Sequence, residues 1–274
     1  MIVTTLVENS SLSKEYKKKH GLCLHIKTKN HNILFDLGPD DTFIENAKKL
    51  NIEIKDVDIV IISHGHKDHG GGLETFLKYN TKAKIYINKN AFDSYYTSVL
   101  KYFKYYVGLD AKFKNSDRII LTDNHFIIDD NLSLVSNVLS KTLIPSSNKL
   151  LFKKENNKYI EDDFNHEQNL IIKENNKYVL ISGCSHCGIT NIIDTVEDFI
   201  NEKVSTVIGG FHLYNPVNKK IEEEIFITEL GENLLHRNID FYTCHCTGYK
   251  PFNILKRILK DKINSISTGE VINV

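Results

Sequence analysis

A mixed α/β domain is what this sequence predicts. Three observations carry that reading: short β-branched runs alternate with amphipathic helical stretches, no linker divides the halves, and motifs rich in histidine and cysteine sit just after strands. In the first half, residues 2–7, 22–28, 32–37, 58–62 and 84–87 read as strands, rich in Ile, Val, Leu and Thr and bounded by turn residues. Residues 41–50 read as a helix because Phe43, Ile44, Ala47 and Leu50 recur at helical spacing, and a second helix covers about 73–79. In the second half, strands over 178–182, 204–208, 239–243 and 263–267 alternate with helices over 190–200, 221–235 and 251–260, with Pro251 suited to a first turn.

The run Lys154-Glu-Asn-Asn-Lys-Tyr159 recurs over residues 173–178. Asn-Asn tolerates positive φ, so each copy predicts a tight hairpin, and no duplication is read from it. Between about 91 and 115, Phe92, Tyr95, Tyr96, Tyr102, Phe103, Tyr105 and Tyr106 crowd into a lysine-bearing stretch. It is expected to be an amphipathic helix plus loop packing its rings on the core, or a lid-like insertion whose rings stack on a flat substrate. With 4 prolines and 14 glycines clustered at motifs, residues 1–274 are read as one domain.

At 274 residues the chain can bury a sizeable core, and its 41% hydrophobic and 26% charged residues are ordinary for a globular protein. Lysine plus arginine equal aspartate plus glutamate at 35 each, which offers no electrostatic footprint for nucleic acid or an anionic membrane. No apolar run suggests a membrane span, and the N-terminal stretch, broken by threonines, does not read as a secretory signal. A cytoplasmic location is expected. Five cysteines, at 23, 184, 187, 244 and 246, are an odd number with four crowded beside histidines, which is not a disulfide framework. Cys23, alone in an apolar strand, reads as core.

Residues 62–72 read Ile-Ser-His-Gly-His-Lys-Asp-His-Gly-Gly-Gly. His64, His66, Asp68 and His69 thus lie within six residues, straight off an apolar strand. In an extended segment His64 and His66 point to one side, and the chain then turns to present Asp68 and His69. Imidazoles and a carboxylate suit zinc, with iron or manganese as alternatives, and the glycines 70–72 are expected to let the backbone bend and pack closely.

That strand-His-x-His-x-Asp-His-Gly arrangement resembles the metallo-β-lactamase superfamily, as does residues 33–38, Ile-Leu-Phe-Asp-Leu-Gly. Residues 183–189 (Gly-Cys-Ser-His-Cys-Gly-Ile), 209–213 (Gly-Gly-Phe-His-Leu) and 244–248 (Cys-His-Cys-Thr-Gly) are similar to the subfamily labelled dihydropterin ribofuranosyl-aminobenzene phosphate synthase. The resemblance implies an αββα sandwich, with two mixed β-sheets face to face and helices outside. It also implies two divalent ions: His64 and His66 hold one with a third histidine, and Asp68 and His69 hold the second with His245.

His186, following a strand within Gly-Cys-Ser-His, is the preferred third histidine, and His166 is the alternative. Cys184 stands where most relatives carry a bridging aspartate, so it either ligates as a thiolate, favouring zinc, or leaves a more open site. His212 is a catalytic or substrate-contacting candidate beside the reading of a turn histidine satisfied by backbone, and Asp36 is expected to orient the metal loop by hydrogen bonding. A rival arrangement gathers Cys184, Cys187, Cys244 and Cys246 around a structural zinc.

The implied activity is metal-assisted hydrolysis of an ester or phosphoester by a metal-bound hydroxide, with ions about 3.5–4 Å apart and Asp68 as catalytic ligand. A small-molecule substrate is expected. The alternatives are a synthase-like transfer joining a dihydropterin to a ribofuranosyl-aminobenzene phosphate, which the resemblance implies, and a non-catalytic, metal-dependent binding of a small molecule.

Overall fold

The computed structural model describes residues 1–99 and 102–274; residues 100 and 101, part of the aromatic 91–115 segment, lie outside the described residues. The chain gathers into two compact units, one of residues 1–94, 107–123 and 266–274, the other of 95–106 and 124–265. Each is built on a mixed seven-stranded sheet, as the α/β reading expects.

In the first unit the sheet runs in the order Val271–Asn273, Ile2–Val7, Cys23–Lys27, Asn32–Phe35, Ile59–Ile62, Lys84–Asn88, Ile119–Thr122. Pairing is antiparallel up to Asn32–Phe35 and parallel from there on. Ile59–Ile62 is buried along its whole length, as a central parallel strand must be. The helix Thr42–Lys49 buries Phe43, Ile44 and Ala47, the residues whose spacing predicts it, into a core that also takes Cys23.

The glycines after the histidine loop provide the close packing expected of them. Gly71 has ordinary helical backbone and Gly72 a negative φ open to any residue, so neither needs glycine for its conformation. A Cβ on Gly71 would lie 2.2 Å from the Pro39 carbonyl oxygen and 2.5 Å from that of Lys67. Close backbone approach therefore requires glycine there. Gly71→Ala is expected to lower stability by about 1–3 kcal/mol through overpacking, seen as a lower denaturant midpoint at constant slope; an unchanged midpoint would refute the steric account.

The second unit's large sheet runs Ile263–Ser265, Asp240–Thr243, Val204–Gly209, Lys177–Ile181, Gln168–Glu174, Leu132–Ser136, Phe126–Ile127. Its first four strands are parallel, and Ile181 aligns with Ile208 while Gly209 aligns with Thr243. Three neighbouring strands therefore end together, and residues 183–188, 210–213 and 244–248 leave from one edge. Carboxyl ends of parallel strands are where α/β sheets place ligands.

Helix Ile189–Ile200 packs Ile189, Ile192, Ile193 and Val196 into the core of this unit. The helix expected over 221–235 begins only at Glu224, because Ile221 bridges Tyr214 and the Glu222 N–H donates to the Leu213 carbonyl at 2.9 Å. Both Asn-Asn hairpins form, with Asn156, Asn157, Asn175 and Asn176 all at positive φ.

The helix expected within 91–115 is corrected by the structure. Tyr95–Val99 and Phe103–Tyr106 are antiparallel strands of a four-stranded sheet with Leu151–Glu155 and Lys158–Glu161. Aromatic and β-branched residues favour a pleated surface, and their cross-strand rings meet: Tyr96 lies 5.4 Å from Tyr106 and 4.9 Å from Tyr159 between centroids. Tyr95 is fully buried, whereas Tyr102, Phe103 and Tyr105 are exposed. Among the described residues no helix is long and apolar enough to cross a membrane.

Candidate metal centre

In the first unit, the loop after Ile59–Ile62 is held from several directions. His66 bridges Gly108, the Lys67 N–H donates to the Val107 carbonyl at 2.7 Å, and the Asp68 and His69 carbonyls accept from Leu22 and Leu37. His64 and His69 are fully buried and His66 nearly so. Their rings converge, His64 lying 4.6 Å from His66 and 4.1 Å from His69 between centroids.

Asp36 hydrogen-bonds this loop, as expected. It is fully buried at positive φ, the conformation that ends its strand and turns its carboxylate inward. Its Oδ1 accepts the Ser63 N–H at 2.7 Å; its Oδ2 accepts the Ser63 hydroxyl at 2.8 Å and faces His69 Nδ1 at 2.6 Å. A carboxylate can only accept here, so His69 carries its proton on Nδ1. Ser63 has one hydroxyl proton and gives it to Asp36, so at 2.8 Å it accepts from His64 Nδ1. Asp36 thereby sets the tautomer of two histidines: both keep Nε2 as the acceptor nitrogen, and that of His64 faces His66 Nδ1 at 3.0 Å.

Asp68, three-quarters buried, places Oδ2 at 3.6 Å from His69 Nε2 and 3.3 Å from His20 Nε2. His20 was not singled out from the sequence, because a lone histidine in a polar stretch carries no spacing signal.

In the second unit, Cys184, His186, His212, His245 and Cys246 are all at least nine-tenths buried. Ligand atoms of Cys184, His186 and His212 lie within 4.8 Å of one another, as do those of Cys184, His245 and Cys246. Ser185, His212 and His245 sit at positive φ, so each of the three motif loops carries a backbone conformation that non-glycine residues seldom adopt. The loops lock together: the Gly210 N–H donates to the Gly183 carbonyl at 2.8 Å and the Ser185 hydroxyl to the Gly210 carbonyl at 2.7 Å. The Phe211 N–H donates to Thr247 Oγ1 at 2.9 Å.

His186 is stacked on Phe164 at 4.4 Å, and its Nδ1 faces Asn148 Oδ1 at 3.2 Å. Asn148 Nδ2 also donates to the His186 carbonyl at 2.8 Å. That contact holds the proton on Nδ1, as for His69. His166 is placed differently: buried, 3.1 Å from Asp162 Oδ2, with its ring tilted against that of Tyr95 at 4.0 Å between centroids. Among the described residues, neither ring nitrogen of the buried His212 has a hydrogen-bond partner, backbone groups included.

Of the four clustered cysteines, Cys187 joins the hydrophobic core, and burial, with Glu167 beside it, pushes its thiol well up. That separates it from the four-thiolate arrangement. Burial works to raise the Cys246 thiol too, but Cys184, His212 and His245 around it hold it well below the ordinary range.

Glu167 was missed from sequence. Its carboxylate is buried, and its two oxygens accept the N–H groups of His186 at 2.7 Å and Cys187 at 3.1 Å. Burial pushes its carboxyl up against the pull of those two amides. Only its place beside His166 marks it in the sequence.

The donor set fits divalent metal. Imidazoles with fixed tautomers, a carboxylate and thiols are the ligands of zinc and its neighbours, and His212 presents a buried, unsatisfied imidazole.

A model described as the metallo-beta-lactamase superfamily matches residues 18–137, a stretch that includes Asp36 and the histidine loop. A 7,8-dihydropterin-6-methyl-4-(beta-D-ribofuranosyl)-aminobenzene-5'-phosphate synthase of Methanocaldococcus jannaschii is 27% identical, over 98% of this chain and 95% of the relative. An uncharacterized protein of the same organism is 25% identical over 94% of each chain. Among solved structures, Tm1679, described as a metal-dependent hydrolase of the beta-lactamase superfamily, is 28% identical with a TM-score of 0.84, covering 100% of this chain and 99% of that one.

Proposed function

We propose that this chain, which belongs to the metallo-beta-lactamase superfamily, is a metal-dependent hydrolase of an ester or phosphoester bond in a small molecule. The observation that carries the reading is the Asp36–Ser63 relay, which commits the Nδ1 protons of His69 and His64 to it and so leaves Nε2 of both imidazoles as the nitrogen able to ligate. Hydrogen bonds that serve only to shape a loop would not need to set two imidazole tautomers.

His64, His66, Asp68 and His69 of the first unit and Cys184, His186 and His245 of the second are the proposed ligands, with zinc the proposed metal. His186 is preferred to His166 because its ring nitrogen lies among the donors of Cys184 and His212, while His166 is paired with Asp162. Divalent ions so held supply Lewis acidity toward a carbonyl or phosphoryl oxygen and make water acidic near neutral pH. Asp68 then accepts and orients the proton of the attacking water, and the buried imidazole of His212 contacts the substrate.

A second reading, transfer of a pterin-bearing group to a ribofuranosyl-aminobenzene phosphate, is favoured by the name of the 27% identical relative. The exposed rings of Tyr102, Phe103 and Tyr105 offer stacking surface for a flat substrate. Purified protein, assayed with and without a chelator, distinguishes the two. Chelator-sensitive release of nitrophenol from bis(nitrophenyl) phosphate or nitrophenyl acetate is the expected result. A condensed pterin product without ester or phosphoester cleavage would replace hydrolysis by synthesis.

A further inference from the structure

We propose that Cys246 is a second thiolate ligand beside Cys184, so that the second unit by itself offers two sulfurs and the His245 imidazole to a thiophilic divalent ion. This rests on the metal-dependent reading and adds a ligand to it. Sγ of Cys184, Sγ of Cys246 and a ring nitrogen of His245 lie within 4.8 Å of one another, close enough to share one cation. The parallel strands bring them there: Cys184 follows Lys177–Ile181, and His245 and Cys246 follow Asp240–Thr243.

Room for the second sulfur is built into the backbone. A Cβ on Gly210 would lie 2.4 Å from the Cys246 sulfur, so glycine at that position clears its space. The sulfur also accepts the His212 backbone N–H at 3.3 Å. An amide donor aimed at sulfur stabilises a thiolate and orients its lone pairs, as outer partners of metal ligands do. Cys187, packed in the hydrophobic core, shows the alternative fate of a buried cysteine in the same motif as Cys184.

The Cys246 sulfur also lies 3.6 Å from the Cys184 carbonyl oxygen, to which its S–H donates when protonated. Both sulfurs ligate as thiolates, so any thiol proton passes to solvent, and their two negative charges balance a divalent cation. No electron is transferred. Two soft ligands favour zinc, cadmium or cobalt over magnesium and manganese.

The test is a cobalt(II) titration of the full chain, stripped of metal and kept reduced, read by the near-ultraviolet sulfur-to-cobalt charge-transfer band. Cys246→Ser is expected to keep cobalt binding and lose about half of the band, since one of two thiolates remains. An undiminished band in a folded Cys246→Ser would overturn the proposal while leaving the metal-dependent reading intact. No cobalt binding by the native chain would overturn both. Should that variant not fold, X-ray absorption on native protein at one equivalent of zinc decides: two sulfur scatterers at about 2.3 Å support the pair, and one or none refutes it.

Discussion

Asp68→Ala is expected to abolish hydrolysis while leaving the fold intact. Asp68 is partly exposed and its side chain contacts His20 and His69, so its removal opens no cavity in the core. Its backbone anchors survive: the carbonyl that accepts from Leu22 is unaffected by truncation at Cβ. The loss should exceed about 100-fold, the upper end of what removing an outer partner of a metal ligand costs, because a ligand and proton acceptor goes with it. Initial rates on an activated phosphoester, with metal content and thermal midpoint measured on the same sample, check the claim. Full activity in a folded variant would remove Asp68 from the chemistry, and with it the hydrolytic reading.

Much of the first unit was legible because its signals are local. Strand Ile2–Val7 and helix Thr42–Lys49 follow directly from β-branched runs and helical spacing, as the Asn-Asn turns of the second unit follow from tolerance of positive φ. The histidine loop carries its own chemistry within six residues. The 95–106 hairpin was misread because a short ring-rich run has the same composition on a helix as on a strand; what decides it is cross-strand pairing with Leu151–Glu155, about fifty residues away in the chain.

Tertiary contacts also explain what stayed hidden at the site. Glu167 and Asn148 act on His186 from 19 and 38 residues away, and nothing in their neighbours announces it. The sequence sets Cys23 aside as core and singles out Cys184, but it does not rank Cys187, Cys244 and Cys246 against one another. The parallel register of three strands brings Cys184 and Cys246 together, while Cys187 packs into the hydrophobic core. Asp36 was recognisable because it ends a strand in the Asp-Leu-Gly pattern, yet its setting of two imidazole protons depends on Ser63, a residue with no motif of its own.

Glu167→Ala is the second large expected effect, and it acts through position alone. The carboxylate is the acceptor for two buried amides, at 2.7 and 3.1 Å, and alanine leaves both N–H groups without a partner. Each orphaned group costs about 1–3 kcal/mol, so the variant should melt several degrees lower, at about 2–4 °C per kcal/mol for a chain of this size. Because those amides fix residues 186 and 187, the His186 ring should lose its orientation, and zinc affinity should fall by about 10–100-fold. Glu167→Gln separates the two consequences. Its amide keeps one acceptor oxygen but turns an NH2 toward the other backbone N–H, so it preserves volume and restores only half of the bonding. An intermediate melting temperature with reduced zinc affinity would place Glu167 as the positioning residue of His186. Native zinc affinity in both variants would reduce it to a packing role.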